Sequence, residues 1–526
     1  MSTEPRISSR LLALLLAFVV VTLVGCGEPT SGLGEVDVRI AASDPFTWDP
    51  ALAGDSGSAN VLAQVFEGLT AFDADSRIQP ALADSWQASE DGRQLSFHLR
   101  PGIAFSDGSP ITAQDVVDSW LRLIDPVRPS PLVSLLADVQ GAAEYQAGSI
   151  GPEGVGLRAD GDQVIVDLRR PATYFISVTA SPSLAIVPRS MYGQLDSAPP
   201  ANIVVSGAYV PSIPSVGVIK LTGNARYWAG TPPLDVVELV TDFGGQSSVA
   251  AFEAGTVDYV GVSSFDASWI AYDANLGPQL RRSDDFTVSF YGFETRVAPF
   301  DNPQVRLAFA KAVNWDRIVR LAGEPVAPSM VPAGVPGRDD LDHRPSYDPE
   351  AARQLLADAQ FPGGAGFPTV VLATYGVGYE LAVAAELEEN LGVAVNVEAH
   401  DFREYIDRPH GPGAPQIWTL AWSADYPHPH DFLGLLLESG SSSNEGGWSN
   451  TEYDALIAQA AATEDPAGQQ VFYSRAQDVL AREAPVMPLA YGESWALAKN
   501  GLLGAEVAGV GIIRVAGLAW AAGSGR

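Results

Sequence analysis

Few residues of this chain have the type and spacing for chemistry. His410, His428 and His430 lie close together in sequence, beside Asp425 and Asp431. Imidazole and carboxylate together suit a transition metal. The run His428-Pro429-His430 is broken by proline and does not fix ligand geometry, so solvated or hydrogen-bonded loop histidines are the preferred alternative. Gly54-Asp55-Ser56-Gly57 offers a serine beside an acid. A nucleophilic serine needs a histidine base held by a carboxylate. The first histidine is His98, well downstream, and the run reads better as a turn leading into a helix. Trp418, Trp422 and Tyr426 either fill a core or wall a ligand cavity. No Gly-x-Ser-x-Gly elbow, His-Glu-x-x-His helix or Gly-x-Gly-x-x-Gly turn occurs, and none of the three lysines follows a phosphate loop. No catalytic residue, cofactor or metal is assigned.

The composition narrows the function classes further. The 526 residues could form about three domains of roughly 150 residues each. Hydrophobic residues are 46% and charged residues 18%, a globular balance. Lys+Arg is 31 against Asp+Glu 63, a net charge of −32, which disfavours a nucleic-acid partner. The single cysteine, Cys26, excludes an internal disulfide and a Cys-based zinc cluster. Cys26 follows Arg6, Arg10 and the apolar run Leu11 to Gly25, which is short for a membrane span of about 20 residues. Basic start, apolar middle and small-residue end read as a secretory signal. Leu23-Val24-Gly25-Cys26 resembles a bacterial lipobox, which implies lipidation at Cys26. The expected layout is a signal peptide over 1–25, a flexible tether over 26–35, and a body held at the extracytoplasmic face of the membrane.

The body alternates strand and helix signals without a visible repeat. Val36 to Ile40 and Leu95, Phe97 and Leu99 alternate at period two and predict strands. Val61, Leu62, Val65, Phe66 and Leu69 predict a helix, with Ser58 as its N-cap. Thr112 and Asp115 have capping-box spacing ahead of Val116, Val117, Trp120, Leu121 and Ile124. Asn302-Pro303 and Asp348-Pro349 each place a capping side chain before a proline at the first helical position. Strands at 370–373 and 393–397 flank a predicted helix at Glu380–Leu391, and two more helices are predicted at Thr451–Ala462 and Pro466–Glu483. The class is mixed α and β.

Asp49-Pro50-Ala51, Val65-Phe66-Glu67-Gly68-Leu69, Pro80-Ala81-Leu82-Ala83-Asp84-Ser85-Trp86 and Phe105-Ser106-Asp107-Gly108-Ser109-Pro110 run in a recognisable order. Asn224-Ala225-Arg226-Tyr227-Trp228, Phe252-Glu253-Ala254-Gly255-Thr256-Val257-Asp258-Tyr259, Ala421-Trp422-Ser423-Ala424-Asp425-Tyr426-Pro427 and Ala484-Pro485-Val486-Met487-Pro488-Leu489 continue it. Together these runs resemble the family 5 extracellular solute-binding proteins, the peptide-binding lipoproteins of ABC importers. The resemblance implies an α/β, two-lobed periplasmic-binding-protein-like fold (type II, cluster C) with an extra inserted domain. It suggests lobe I in three pieces, 36–70, 201–310 and 491–526, an inserted domain at 71–200, and lobe II at 311–490.

The same resemblance implies a binding protein rather than an enzyme. Its ligand would be a peptide and its partners the permease subunits of an importer, with the protein itself a monomer. Asp425 would receive the peptide α-ammonium, and Trp422, Ser423 and Ala424 would border the ligand. Gly54, Asp55 and Ser56 would form the opposite wall, and Tyr291 is a further pocket candidate. Two positions depart from the family pattern. His428-Pro429 stands where an Asp-Pro pair is common, and Glu294 where an asparagine is common. A non-peptide solute (nickel complex, haem, opine or sugar) on the same scaffold is one alternative, and a surface-anchored hydrolase is another.

Overall fold

The computed structural model describes residues 36–73, 76–196, 198–376, 378–401, 404, 405, 408–505 and 509–523. The signal, the tether and Cys26 lie outside the described residues. Asp37 to Arg526 form one compact unit.

Ten strands make the main sheet: β1 Val38–Ala41, β2 Tyr209–Ser215, β3 Val218–Gly223, β4 Val236–Val240, β5 Tyr259–Val262, β6 Leu280–Phe293, β7 Val370–Thr374, β8 Val395–Ala399, β9 Ile417–Ser423 and β10 Val486–Ala498. Their order is β8-β7-β9-β6-β10-β5-β1-β4-β3-β2. Parallel pairs sit on each side, β7 with β8 and β9, and β1 with β4 and β5. The two longest strands, β6 and β10, are antiparallel and central. Their pairing runs from Leu280 opposite Leu497 to Asp284 opposite Glu493, breaks register, and resumes at Val288 opposite Tyr491. The start of β6 and the end of β10 belong to the half of the sheet carrying β5, whereas Thr287 to Phe293 pair with β9. A register break bends and twists a strand pair locally. The two lobes therefore meet where β6 and β10 cross from one half-sheet to the other.

Alternation on β6 explains two cores, one on each face of the strand. Phe286, Val288 and Phe290 point into one core, with Phe432, Leu433, Tyr453 and Val479 from the helices Pro429–Leu437, Thr451–Ala461 and Pro466–Glu483. Tyr291 and Phe293 point into another, with Phe309, Val319, Leu356 and Leu387. In the first lobe Val38, Ile40, Val61, Leu62 and Tyr209 share a core, which also takes Ala185, Val187, Met191 and Leu195. A separate four-stranded antiparallel sheet comprises Ala83–Ala88, Gln94–Leu99, Gln163–Asp167 and Leu157–Asp160. It packs with the helix Ala113–Leu121 around Phe97, Trp120 and Val164.

Local signals act as expected at most helix ends. Thr112 and Asp115 make both bonds of the capping box. Asn302 and Asp348 cap helices that begin with proline. The strand expected at 36–40 runs instead at Val38–Ala41, and the one at 393–397 at Val395–Ala399. Ser58 is not an N-cap. Asp55 caps the helix Ser56–Val65, accepting from the Ser58 N–H at 2.8 Å, while the Ser58 hydroxyl accepts from Phe46 N–H at 2.9 Å. The charged side chain upstream starts the helix three residues early.

Trp120 is fully buried, donates from Nε1 to the Leu184 carbonyl at 2.9 Å and meets Phe175 edge-on. Trp120→Ala should cost about 3–5 kcal/mol in urea unfolding. A cost under about 1 kcal/mol would place the anchor of this core elsewhere.

Candidate ligand-binding site

β9 leads directly to the site. On one side it pairs with β6 along its whole length, from Phe293 opposite Ile417 to Thr287 opposite Ser423. On the other side β7 pairs only with Ile417 and Trp418. Beyond Trp418 that edge has no strand neighbour among the described residues. The Tyr405 hydroxyl takes both backbone groups of Thr419, donating to its carbonyl and accepting from its N–H at 2.9 Å. Ala421 and Ser423 are exposed beyond it. An open strand edge is a template for backbone pairing with an extended ligand. The pairing with β6 puts this edge beside the register break, because the Ser423 and Thr287 hydroxyls are 2.8 Å apart and Ala424 N–H donates to the Phe286 carbonyl at 2.9 Å.

Asp425 follows this edge at once. It is half-buried, and no cation or hydrogen-bond donor pairs with its carboxylate among the described residues. Burial alone pushes its pKa up to about 6. Trp422 does not float over the cleft. Its Nε1 donates to Asp431 Oδ2 at 2.9 Å. Asp431 sits in the first turn of the helix Pro429–Leu437 and is 0% exposed. Burial first, and then the charge of Asp425, push its carboxyl well above the usual range. In sequence Asp431 stood out only as a neighbour of the histidines. Its spacing from Trp422 becomes informative only once the chain turns at Tyr426-Pro427 and the helix folds back.

The remaining expected residues lie apart from this segment. Gly54 and Ser56 are exposed at the start of the helix Ser56–Val65, and Asp55 is its cap. A Cβ on Gly54 would stand 2.7 Å from Pro131 Cγ, so that turn is pressed against the four-stranded-sheet segment. Ser56 lines a 510 Å3 cavity with Ser43, Asn60, Gln64 and Trp495. No hydrogen bond or ion pair joins this turn to Asp425. Tyr291 is 1% exposed and its hydroxyl lacks a partner. It lines a 300 Å3 cavity with Thr374, Glu380, Thr419 and Leu420, alongside the open edge of β9.

The three histidines do not converge. His410 pairs with Glu445 at 3.5 Å. His428 caps the helix Pro429–Leu437, accepting from the His430 N–H at 3.2 Å. His430 stacks on Tyr174 with ring centroids 3.5 Å apart and shares a 2.9 Å bond with the Tyr426 hydroxyl. Burial pulls His428 down to about 4 and His430 well below its ordinary value, so both are neutral. The described residues contain no group of three His, Cys, Asp or Glu placed to hold a metal ion. Glu294 has a structural partner. Burial would raise its pKa, but the Arg296 fork at 2.6 Å and the Gly411 N–H at 3.0 Å outweigh that and hold it low.

The profile of the bacterial extracellular solute-binding proteins, family 5 (Middle), matches residues 77–444. The chain belongs to this family. It is 29% identical over 470 residues to the probable deoxycholate-binding periplasmic protein YgiS of Escherichia coli, covering 85% of this chain and 86% of that protein. It is 29% identical over 476 residues to the periplasmic oligopeptide-binding protein OppA of Salmonella typhimurium, covering 86% of each. Among solved structures, the unliganded open form of the periplasmic murein tripeptide-binding protein MppA superposes with a TM-score of 0.79 at 25% identity. That match covers 93% of this chain and 98% of that one. The fold is thus the two-lobed, extracellular solute-binding architecture.

The raised pKa of Asp425 has a consequence for the empty protein. An unfolded aspartate titrates near 3.9, so the folded-state value lies above it. The stabilisation this confers is complete below about pH 4 and is lost as pH rises through about 6. Asp425→Asn should therefore stabilise ligand-free protein at pH 7, by at most about 3 kcal/mol before solvent screening and by less once its partial exposure is counted, and should have little such effect at pH 4. Thermal unfolding at the two pH values measures this. An equal effect at both would mean that Asp425 is not destabilised by its site.

Proposed function

We propose that this protein captures peptides between its two lobes and delivers them to the permease subunits of an ABC importer. The observation that carries the reading is Asp425, an unpaired, half-buried carboxylate at the end of an open strand edge. An extended peptide would lie bordered by Trp422, Ser423 and Ala424, pair as an added strand with the outward backbone groups at Ser423, and place its α-ammonium on Asp425. Such backbone pairing tolerates many side chains, which suits an importer of mixed peptides. The 300 Å3 cavity at Tyr291 is placed to take a side chain, and the turn at Gly54, Asp55 and Ser56 would close from the other lobe. The names of OppA and MppA support a peptide ligand. A bile-acid anion, suggested by the name of the YgiS relative, would meet Asp425 and Asp431 and be disfavoured.

The proposed partition keeps lobe I at 36–70, 201–310 and 491–526, the inserted domain at 71–200 and lobe II at 311–490. In this reading the protein is a monomer that binds without catalysis. Removing one partner of a buried charge pair costs about 3–5 kcal/mol, or roughly two to four decades in Kd. Asp425→Ala should weaken peptide binding by that much, and N-acetylated peptide should bind the unaltered protein as poorly. Calorimetry with free and acetylated forms of one peptide decides the matter, because equal affinities would remove Asp425 from this role.

The lipid anchor at Cys26 belongs to the same proposal. Cys26→Ala should move the protein from the membrane fraction to the soluble fraction or leave its signal uncleaved. Continued processing and lipid labelling of the Cys26→Ala protein would refute the anchor.

A further inference from the structure

Asp431 is hard to account for as an ordinary buried acid. It is 0% exposed, yet only one of its oxygens is satisfied, by the Trp422 indole at 2.9 Å. Oδ1 has no donor in hydrogen-bond geometry among the described residues. The charge of Asp425 and the backbone N–H groups of Asp425 and Tyr426 all act on the carboxyl, which sets Asp431 within electrostatic reach of the residue proposed to hold the ligand. The surrounding groups supply no positive charge. On its own segment stand the buried Tyr426 and His430 and the half-buried His428, all uncharged. Around the neighbouring Tyr426 stand Tyr473 from the helix Pro466–Glu483 and Tyr174 from the segment before 200, neither of them a cation. Arg170, whose charge reaches His430, is already bonded to Asp138 at 2.8 Å and Glu438 at 2.5 Å.

A carboxylate with one donor and no counter-ion does not stay ionised in such a place. As a neutral acid it has one proton to give, and two adjacent carboxyls commonly hold one proton between them. We propose that Asp431 is the positioning residue of the ammonium site: it shares one proton with Asp425, donating from Oδ1 toward that carboxylate while Oδ2 holds Trp422. The pair would then present a single negative charge, fixed in direction, to a ligand carrying one cationic amino terminus. This rests on the reading of Asp425 given above.

The two ideas can fail separately. Infrared spectroscopy of ligand-free protein at pH 7.5 should show a protonated buried carboxyl that disappears in Asp431→Asn, whatever the ligand proves to be. No such band in the unaltered protein overturns the proposal. Asparagine can still accept from Trp422 and donate to Asp425, so Asp431→Asn should bind tri-alanine within about threefold of the unaltered protein. Asp431→Ala should lose roughly tenfold to a hundredfold, the loss expected for one hydrogen bond to a charged group. Trp422→Phe, which keeps the aromatic ring but not the donor, should fall between. Equal losses in Asp431→Asn and Asp431→Ala would show a merely structural residue and overturn the proposal. If tri-alanine affinity is indifferent to Asp425→Ala, or tri-alanine fails to bind, the ammonium reading is what fails, and the infrared result still decides the shared proton.

Discussion

The antiparallel pairing of β6 and β10 is the constraint on which the rest of the structure depends. Each strand contributes to both half-sheets, so neither lobe has a complete sheet without the other. The break in pairing after Asp284 and Glu493, followed by a second register shift between Ser289 and Phe290, lets the ladder bend without losing many bonds. Domain closure in two-lobed binders is absorbed by a few residues of this kind. Ser423, Ala424 and Asp425 lie next to that break through their bonds to Thr287 and Phe286. A ligand held there would sit at the pivot, where small rotations bring large surfaces together.

Electrostatics sets the segment apart from the rest of the chain. With a net charge of −32, most acids must face water. Several buried ones carry an arginine instead: Asp49 with Arg122, Glu67 with Arg514, Asp138 with Arg170, and Glu294 with Arg296. Pairing of that kind satisfies a buried carboxylate internally and leaves nothing for a ligand to do. Asp425 and Asp431 have no such partner among the described residues. Under the proposed reading a cationic ligand would complete this pair, which would link binding affinity to ligand charge.

Local features were legible in the sequence, and the relation between them was not. The helices Glu380–Leu391 and Pro466–Glu483 fall where their apolar spacing and caps put them. The capping box at Thr112 is complete, because it depends only on residues three apart. Ser58 was misread because two capping side chains, Asp55 and Ser58, compete within one turn, and sequence does not rank them. The register break in β6 has no local signature. Asp284, Asp285 and Thr287 read as surface polar residues, and their meaning comes from pairing with a strand some two hundred residues away. Asp431 was invisible as a site residue for a related reason. One acid among 63 cannot be known as buried until the helix that carries it is packed. The segment from Trp422 to Tyr426 was singled out by its motif, but its open edge depends on β7 ending its pairing at Trp418.

The helix Pro429–Leu437 ties these facts together. At its start Asp431 holds Trp422, and His430 lies flat against Tyr174. Gly434 makes that stack possible, since a Cβ there would stand 2.3 Å from His430 Nε2. Just past its end Glu438 takes Arg170 at 2.5 Å, and Arg170 also holds Asp138. One short, buried helix thus contacts the Trp422–Tyr426 segment at one end and the segment before residue 200 at both. Its dipole points its positive end toward Asp425 and Asp431, which partly offsets the cost of a buried negative charge there. Any movement of the neighbouring segment relative to this helix must disturb the Tyr174–His430 stack and the Arg170–Glu438 pair before it reaches Trp422. The support of Trp422 is therefore shared: Asp431, which holds its indole, sits on a helix that is itself clamped through Tyr174 and Arg170.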